Sequence, residues 1–396
     1  MALKVCAVTT WPPHRDGVAL YSAELYKQIA KLVDVKVVAN IPSQQKSAKS
    51  WKETDVAVTR RWKRDFWYPT RIFGFVFKTR CHMVHLQHGW LLYGNLVSAL
   101  LFPLLLCFFR LSCKPCVVTM HTVIRKDACL FANSAVNFLA RMAILSISMG
   151  ILNFSDKVIV HNRLMKKVLQ TEYGAKEEKI AVIPHGVKKA SEKPKLSKKE
   201  GEEICILSLG FLRKGKGIEF LVEAFENFLE KCPDAKLLIV GGSHAHDRKE
   251  YPEGSKAFLA PKLQERVSFT GFVDEATLQQ LIWRSDIIVL QSTEQYYVEV
   301  SGALAAVADY GKPVVCTKVP KFQSELQNGE HYLVVAPSDS TELAQAFALL
   351  GENRELRKRL GKNLKEKFEN RHWSKVAEEH VTLYRRVLRT LKAEDP

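Results

Sequence analysis

Short β-rich runs alternate with longer segments of helical spacing along the chain, and this alternation restricts the fold more than any other feature. In the first half the runs are KVCAVTT, VDVKVVAN, HMVHLQH, KPCVVTMHT and DKVIVHN, with AVIP after them. Between them, residues 21–32 and 163–174 carry apolar side chains at the helical period. Strands separated by helices form a parallel sheet with helices on both faces. The first half is therefore predicted to be an α/β domain.

The second half repeats the plan. Its predicted strands are ICILSLG, AKLLIVGG, RVSFTGFV, SDIIVLQS and KPVVCT, and its predicted helices are GIEFLVEAFENFLEKC, EATLQQLIWR, GALAAVADYG and TELAQAFALLGENRELRKRLG. The charged segment 188–203 between the halves is typical of a linker. A chain of 396 residues is long enough for two domains, which we place at 1–187 and 204–372. Two doubly wound, Rossmann-like domains that face one another leave a central cleft at the carboxyl ends of their strands.

The stretch GFLRKGKG, residues 210–217, stands where a predicted strand passes into a predicted helix. A helix N-terminus offers unpaired N–H groups, and glycine lets the backbone approach a ligand closely. With one arginine and two lysines in the turn, bound phosphate is favoured over a solvated basic loop. Gly217 stands where a P-loop has its magnesium-binding Ser or Thr, which argues against a P-loop ATPase. Gly17 opens the helix after the first strand, and two such turns facing one cleft favour a nucleotide ligand.

The net charge of +17 belongs entirely to residues 1–190, and the remainder of the chain is balanced. Its densest part, residues 60–80, interleaves basic and aromatic side chains. This composition suits an anionic lipid surface, nucleic acid or an acidic acceptor, and a solvated basic face remains open. We rank lipid above nucleic acid because no nucleic-acid-binding motif accompanies the charges. The apolar segment 96–109 is too short to span a bilayer, so a buried helix is expected there, or a helix lying at a membrane interface.

The nine cysteines show neither C-x-x-C pairs nor histidines at zinc spacing, so no metal site is predicted. Free thiols suggest a reducing, cytoplasmic setting. The opening MALKVCAVTTWPP is predicted to be a strand and not a secretory signal. Combined with the basic surface, these features lead us to expect a cytoplasmic protein, with peripheral attachment to the inner face of the cell membrane as an option.

These motifs resemble those of the retaining glycosyltransferases of glycosyltransferase family 4, which have the two-domain GT-B fold. The resemblance runs from WPPHRDGVALYSAEL to the C-terminal helices. The family motif of Gly-Arg-Leu, three variable residues and Lys-Gly is matched from Gly210 to Gly217, with Lys216 in the place of the diphosphate-binding lysine. Phe211 occupies the arginine's place. Either Arg213 supplies that charge or the charge is absent.

Other matches extend the resemblance to both domains. VIPHGV and LLIVGG resemble strands of the family, and VSFTGFV implies that Phe272 and Val273 lie at the nucleotide base. VVTMHTVI resembles a strand end of the first domain, where His121 matches the family histidine near the transferred sugar and the reacting bond. The resemblance also implies that the C-terminal helix, residues 373–396, crosses back to the first domain.

The main departure concerns a pair of glutamates that many members carry with seven residues between them. Counted back from GKP, the second glutamate would fall at Ala306, and the first would fall one residue before Glu299. Glu299 is our first choice for the contact with the donor sugar, and Glu294 is the reserve. The segment that opens with Ser301 and Gly302 resembles a branch without the second acid, and we assign both residues to the nucleotide site.

The resemblance implies transfer of a hexose from a UDP- or GDP-sugar to a hydroxyl acceptor with retention of configuration, without a metal or other cofactor. Glu299 would orient the donor sugar, and His121 would act near the reacting bond. The acceptor would bind the first domain, whose charge favours a lipid-linked or glycolipid saccharide. Two alternatives stay open: a nucleotide-sugar epimerase of the same fold, and a non-catalytic basic protein that binds membrane or nucleic acid.

Overall fold

A computed structural model of the chain describes residues 2–42, 50–53, 56–192, 203–213, 215–242 and 259–393. The chain packs into two compact units, and neither is a single continuous stretch. The first unit consists of Met1–Gly186, Tyr296–Val300 and Trp373–Pro396, and the second of Val187–Gln295 and Ser301–His372. Residues 296–300, predicted to belong to the second domain, therefore pack with the first. Of the predicted linker, residues 193–202 lie outside the described residues.

Sixteen strands occur in the described part of the chain. They are β1 Lys4–Thr9, β2 Asp34–Asn40, β3 Ser50–Glu53, β4 Val56–Trp62, β5 Met83–His88, β6 Cys116–Met120, β7 Thr122–Ile124, β8 Lys157–Val160, β9 Ile180–Val182, β10 Cys205–Leu209, β11 Lys236–Val240, β12 Val267–Gly271, β13 Ile287–Leu290, β14 Tyr297–Glu299, β15 Val314–Thr317 and β16 Leu333–Val335.

The same residues form thirteen α-helices and four single-turn 3₁₀ helices. The α-helices are α1 Gly17–Ile29, α2 Tyr68–Phe77, α3 Leu96–Ala99, α4 Phe102–Leu111, α5 Ser134–Phe154, α6 Arg163–Tyr173, α7 Ile218–Leu229, α8 Glu275–Arg284, α9 Gly302–Val307, α10 Pro320–Gln323, α11 Ser340–Glu352, α12 Arg354–Phe368 and α13 Trp373–Ala393. The 3₁₀ turns are Glu177–Lys179, Pro261–Leu263, Ala308–Tyr310 and Glu369–Arg371.

The first unit is built on an eight-stranded sheet in the order β3-β4-β2-β1-β5-β6-β8-β9. Its described pairs are parallel except for β3 against β4. Side chains of a strand alternate between faces, so Val5 and Ala7 enter one core while Cys6 and Val8 enter the other. The strand order reverses between β1 and β5, and this switch point is where a doubly wound sheet binds ligands beyond its carboxyl edge.

The second unit has a six-stranded sheet in the order β12-β11-β10-β13-β15-β16, with parallel neighbours throughout the described strands. Its strand order reverses between β10 and β13. The turn predicted to hold phosphate, residues 210–217, follows β10 directly and therefore stands at this switch point. All five strands predicted for this half are confirmed, and α8 has the predicted bounds.

A short antiparallel ribbon joins β7 to β14, across more than 170 residues of sequence. Val298 pairs with Val123 and is buried in the core of the first unit. This pairing explains why residues 296–300 leave the second unit, and it sets Glu299 opposite Thr122, the neighbour of His121.

Some helices differ from the prediction. The long helix expected over 341–361 is two helices, because the Asn353 side chain accepts from the amide of Leu356 and starts α12. The apolar segment 96–109 is divided into α3 and α4, with Leu105 and Phe109 buried as expected and Leu104 exposed.

Helix α5 was not predicted. It has 21 residues, and among the described residues it is the one helix long and apolar enough to cross a membrane. Its second half, however, packs in the core of the first unit, where Ile144, Ile147 and Ile151 are buried.

Candidate functional site

The turn after β10 requires glycine at three positions. Gly210, Gly215 and Gly217 have φ angles of 140°, 85° and 69°, which side-chain-bearing residues rarely adopt. Gly217 also stands at the N-cap of α7, and no side chain caps that helix. Asn, Asp, Ser or Thr would normally accept from the first-turn amides. The start of α7 is therefore arranged so that a ligand can take the place of a capping oxygen.

The turn is held against the ends of the neighbouring strands. The Gly215 carbonyl accepts from Thr293, through its backbone N at 2.9 Å and its Oγ1 at 3.2 Å. On the other side, the amide of Gly210 donates to the carbonyl of Val240 at 3.0 Å. Because these contacts reach both neighbours of β10, the turn is fixed at the switch point.

Lys216 folds back over the start of the turn. A methyl group placed on Gly210 would lie 3.4 Å from Lys216 Nζ. Lys216, Gly210 and Gln291 line one shallow depression. A second, solvent-open depression of about 250 Å³ is lined by Gly217 and Thr293 among others. The predicted diphosphate lysine thus lies beside concave surface on this edge of the second unit.

Arg213 forms an ion pair with Glu294, at 2.8 Å between Nη2 and Oε2. The same carboxylate oxygen lies 3.5 Å from Lys321 Nζ, whose side chain is only 5% exposed. The structure therefore brings together two residues predicted for the site and adds Lys321, which sequence reasoning missed. A lysine directly after the KPVVCT strand, at a carboxyl edge, was the available signal. Glu294 is held between two cations of its own unit.

The remaining residues predicted for the second unit have modest surroundings. The rings of Phe211 and Phe272 meet edge to face with centroids 5.7 Å apart, so the residue in the arginine's place packs on the predicted base contact. Val273 is half-buried against the core. Ser301 Oγ accepts from the amide of Leu304 and caps α9.

In the first unit, the start of α1 differs from that of α7. Asp16 caps the helix that Gly17 opens, and its Oδ1 accepts from the amide of Ala19 at 2.7 Å and from Thr10 Oγ1 at 3.2 Å. A carboxylate therefore already occupies the position that phosphate would take, and the two carry the same charge. The phosphate role predicted for Gly17 finds no support in this geometry.

His121 and Glu299 are brought close by the β7–β14 ribbon. Glu299 Oε2 accepts from Thr122 Oγ1 at 3.1 Å. The backbone amide of His121 donates to the His88 carbonyl at 2.9 Å. The ring of Tyr21 meets the His121 ring edge to face at 4.6 Å. The two residues predicted to be catalytic are thus neighbours in the first unit.

Both ring nitrogens of His121 have partners. His161 Nδ1 lies 3.0 Å from the Ile183 carbonyl, so this nitrogen carries the proton and His161 Nε2 accepts from His121 Nδ1 at 3.3 Å. Burial lowers the pKa of His161 to about 3, which excludes a second proton on that ring at neutral pH.

His121 Nε2 lies 2.8 Å from Gln87 Oε1. It accepts from the Gln87 amide once a half turn exchanges the amide oxygen and nitrogen. Burial, and then the neighbouring His161, lower the pKa of His121 well below its ordinary value. A neutral ring held on both sides is a positioned group, and it contacts a sugar through a ring nitrogen only after losing one partner.

The basic stretch at 60–80 requires a correction. Arg60 is fully buried and donates to the backbone carbonyls of Asn40, at 2.6 Å, and Pro12. Arg64 donates through Nη2 to the Leu91 carbonyl at 2.7 Å. These guanidiniums hold loops of the first unit, so Arg60 does not face a lipid surface. Separately, no group of three His, Cys, Asp or Glu side chains in the described residues is arranged to hold a metal ion.

Comparison with known proteins gives relatives of low identity. The chain is 27% identical over 244 residues to an uncharacterized glycosyltransferase of Methanocaldococcus jannaschii, MJ1607, which covers 58% of this chain and 60% of that one. It is 26% identical over 284 residues to the phosphatidyl-myo-inositol mannosyltransferase of Mycobacterium leprae, covering 70% and 69%. The chain thus spans less than two thirds of the first of these relatives.

Among solved structures, Alr3699/HepE of Anabaena in complex with UDP-glucose superposes with a TM-score of 0.69 at 16% identity, covering 99% of this chain and 100% of that one. The predicted GT-B fold class is confirmed. Two family models divide the chain between them: Glycosyltransferase Family 4 matches residues 15–190 and Glycosyl transferases group 1 matches residues 189–367. The chain belongs to the group 1 glycosyltransferases, with the family 4 domain as its first half.

Proposed function

We propose that the protein transfers a hexose from a UDP- or GDP-sugar to a hydroxyl group of a lipid-linked or glycolipid saccharide, with retention of configuration. Membership of the glycosyltransferase family supports the reaction type. The solved relative with bound UDP-glucose supports a nucleotide-sugar donor. The mannosyltransferase relative, which by its name acts on phosphatidyl-myo-inositol, supports a lipid acceptor.

One observation carries the proposal: an uncapped helix start, a three-glycine turn and Lys216 coincide at the switch point of the second unit. Backbone N–H groups at such a helix start attract anions. Lys216 adds a full positive charge beside them. We infer that this turn binds the diphosphate of the donor.

The chemistry follows from where charge develops. Breaking the bond between the anomeric carbon and the diphosphate leaves negative charge on the phosphate and positive charge on the sugar ring. Preorganised cations and N–H dipoles at the phosphate lower the barrier most. Lys216 and the α7 amides would supply them, with Arg213 joining once it leaves Glu294, and no metal ion is required. In retention, the acceptor attacks the face that the phosphate leaves, and the phosphate oxygen takes the acceptor's proton.

Residues of the first unit complete the proposal. Glu299, hydrogen-bonded to Thr122, would orient the donor sugar. His121, held by Gln87 and His161, would fix the surroundings of the reacting bond. We further propose that the protein works in the cytoplasm, attached peripherally to the inner face of the cell membrane where a lipid-linked acceptor is found.

Thermal unfolding with UDP, GDP and ADP tests the donor site. A nucleotide at a hundredfold excess over its Kd stabilises the folded state by about 2.7 kcal/mol. One diphosphate, UDP or GDP, should raise the Tm of the wild type and fail to do so for Lys216→Ala. Lys231→Ala removes an exposed lysine just after the same helix and serves as the matched control, with an unchanged response.

Product analysis then separates the reaction from its alternatives. Incubation with UDP-glucose or GDP-mannose and extracted lipids should yield a glycolipid that keeps the anomeric configuration, in the presence of EDTA. An altered sugar nucleotide formed without lipid would identify an epimerase. Absence of any nucleotide response in the wild type would refute the proposed donor site.

A further inference from the structure

Exposed apolar side chains are concentrated in one part of the first unit. Seventeen large apolar side chains are exposed in the described residues, and fourteen of them lie between residues 66 and 142. They belong to the loop before α2 and to α2, α3, α4, α5 and their neighbours. Single exposed apolar residues are ordinary, whereas a concentration of this kind marks an interaction surface.

Helix α5 divides into an exposed front and a buried back. In the front, residues 134–142, Phe138 is 63% exposed and Leu139 66% exposed, and Met142 lies one turn further on the same face. In the back, from Ala143 on, the isoleucines are buried in the core. The back anchors the helix, and the front presents apolar side chains to solvent.

The front of α5 projects beyond its neighbour α4. A methyl group on Gly150 would lie 2.5 Å from Pro103, so the back of α5 packs against the first turn of α4. Both helices precede parallel strands, β6 and β8, and therefore run in the same general direction. Sixteen residues of α5 precede Gly150, which corresponds to a projection of about 24 Å at 1.5 Å per residue. The projection is on the carboxyl side of the sheet, where β7 and His121 follow β6.

The charges beside these apolar residues are all positive. The sequences of α2, α4 and α5 contain no Asp or Glu. Exposed pairs of an apolar and a cationic residue recur: Phe77 with Lys78 at the end of α2, Leu111 with Arg110 in α4, and Met142 with Arg141 in α5. The three helices are adjacent, since Phe73 of α2 packs on Phe108 of α4 with ring centroids 5.4 Å apart, and α4 packs on α5.

We propose that the front of α5, together with the exposed apolar side chains of α3 and α4, inserts into the surface of a bilayer that contains anionic phospholipid. Apolar side chains flanked by Lys and Arg suit the boundary between acyl chains and anionic headgroups. A symmetric contact with a second copy would place cations against cations, which disfavours it. The buried back of α5 excludes the spanning orientation. The meaning of this surface for acceptor access rests on the proposed function, but its occupant is testable without any acceptor.

Co-sedimentation with vesicles tests the surface. The wild type should bind vesicles of equal parts phosphatidylglycerol and phosphatidylcholine, and bind pure phosphatidylcholine less well. Phe138→Ser combined with Leu139→Ser should lower the partition coefficient at least about tenfold, because two exposed apolar groups no longer insert. Phe138→Trp, which keeps a large apolar ring, should retain binding. Leu349→Ser changes an equally exposed leucine of the second unit and is the matched control.

The UDP and GDP thermal shift of the double serine variant keeps this test separate from the donor site, because the turn at 210–217 is unchanged. A normal shift with lost vesicle binding supports the proposal. Unchanged vesicle binding in the double variant would overturn it. So would a wild type that ignores vesicles and forms a dimer by light scattering that the double variant dissolves, because the surface would then bind a second copy.

Discussion

Lowering the pH from 8 to 5.5 should destabilise the first unit, because burial holds three of its histidines neutral. The folded pKa values are about 3 for His88 and His161 and about 4 for His380, against about 6.5 in the unfolded chain. The unfolded chain therefore binds more protons below pH 6.5, and stability falls as the pH falls toward the folded pKa values. At pH 5.5 each histidine costs about 1.4 kcal/mol. Together they cost about 4 kcal/mol, a large part of an ordinary stability of about 5–15 kcal/mol.

Urea unfolding at the two pH values, followed by circular dichroism, measures this loss. His380→Phe isolates one third of it: His380 Nδ1 donates to the Val376 carbonyl at 2.8 Å, and Nε2 has no described partner. The variant should lose about 1.4 kcal/mol less than the wild type between pH 8 and 5.5, whatever its stability at pH 8. An identical loss in both proteins, or a wild-type loss below about 1 kcal/mol, would refute the assignment of these rings as neutral and buried.

Two further predictions concern the turn at 210–217. Glu294→Gln removes the carboxylate that competes with a diphosphate for Arg213, and calorimetry should show between about threefold and tenfold tighter binding of the preferred nucleotide at low salt; weaker binding would mean that Glu294 positions Arg213 for the ligand. Gly241→Ala places a methyl group 2.0 Å from the Gly210 carbonyl oxygen at a φ of 130°, and should lower the free energy of unfolding by more than about 3 kcal/mol. Gly311→Ala, at a φ of 65° with open space around it, should cost only about 1–2 kcal/mol.

The sequence predicted the elements that carry a local signal. The β10 strand, the glycine turn and α7 were found because an apolar run, three glycines and a helical period follow one another within 30 residues. Asn162 as N-cap and Gly174, with a φ of 70°, likewise bound α6 as its spacing predicts.

The missed elements lack such a signal. Helix α5 is apolar on nearly every side, so the alternation of apolar and polar residues that indicates an amphipathic helix is absent. The pairing of β7 with β14 depends on residues far apart in the chain, and three-residue strands are too short for a pattern. Charge alone also misled: Arg60 belongs to a basic run, but backbone carbonyls satisfy its guanidinium inside the first unit.

The β7–β14 ribbon and α13 give the chain an order of completion during synthesis. The first unit begins at the N-terminus, but it receives β14 and α13 only after nearly all of the second unit has been translated. A nascent chain that ends at residue 372 holds every strand of the second unit, while α1 still lacks the helix that packs on it, where Trp373 meets Tyr21 with ring centroids 5.1 Å apart. Since domains fold as they emerge, the second unit can mature first, and the apolar face of α1 waits for the last helix.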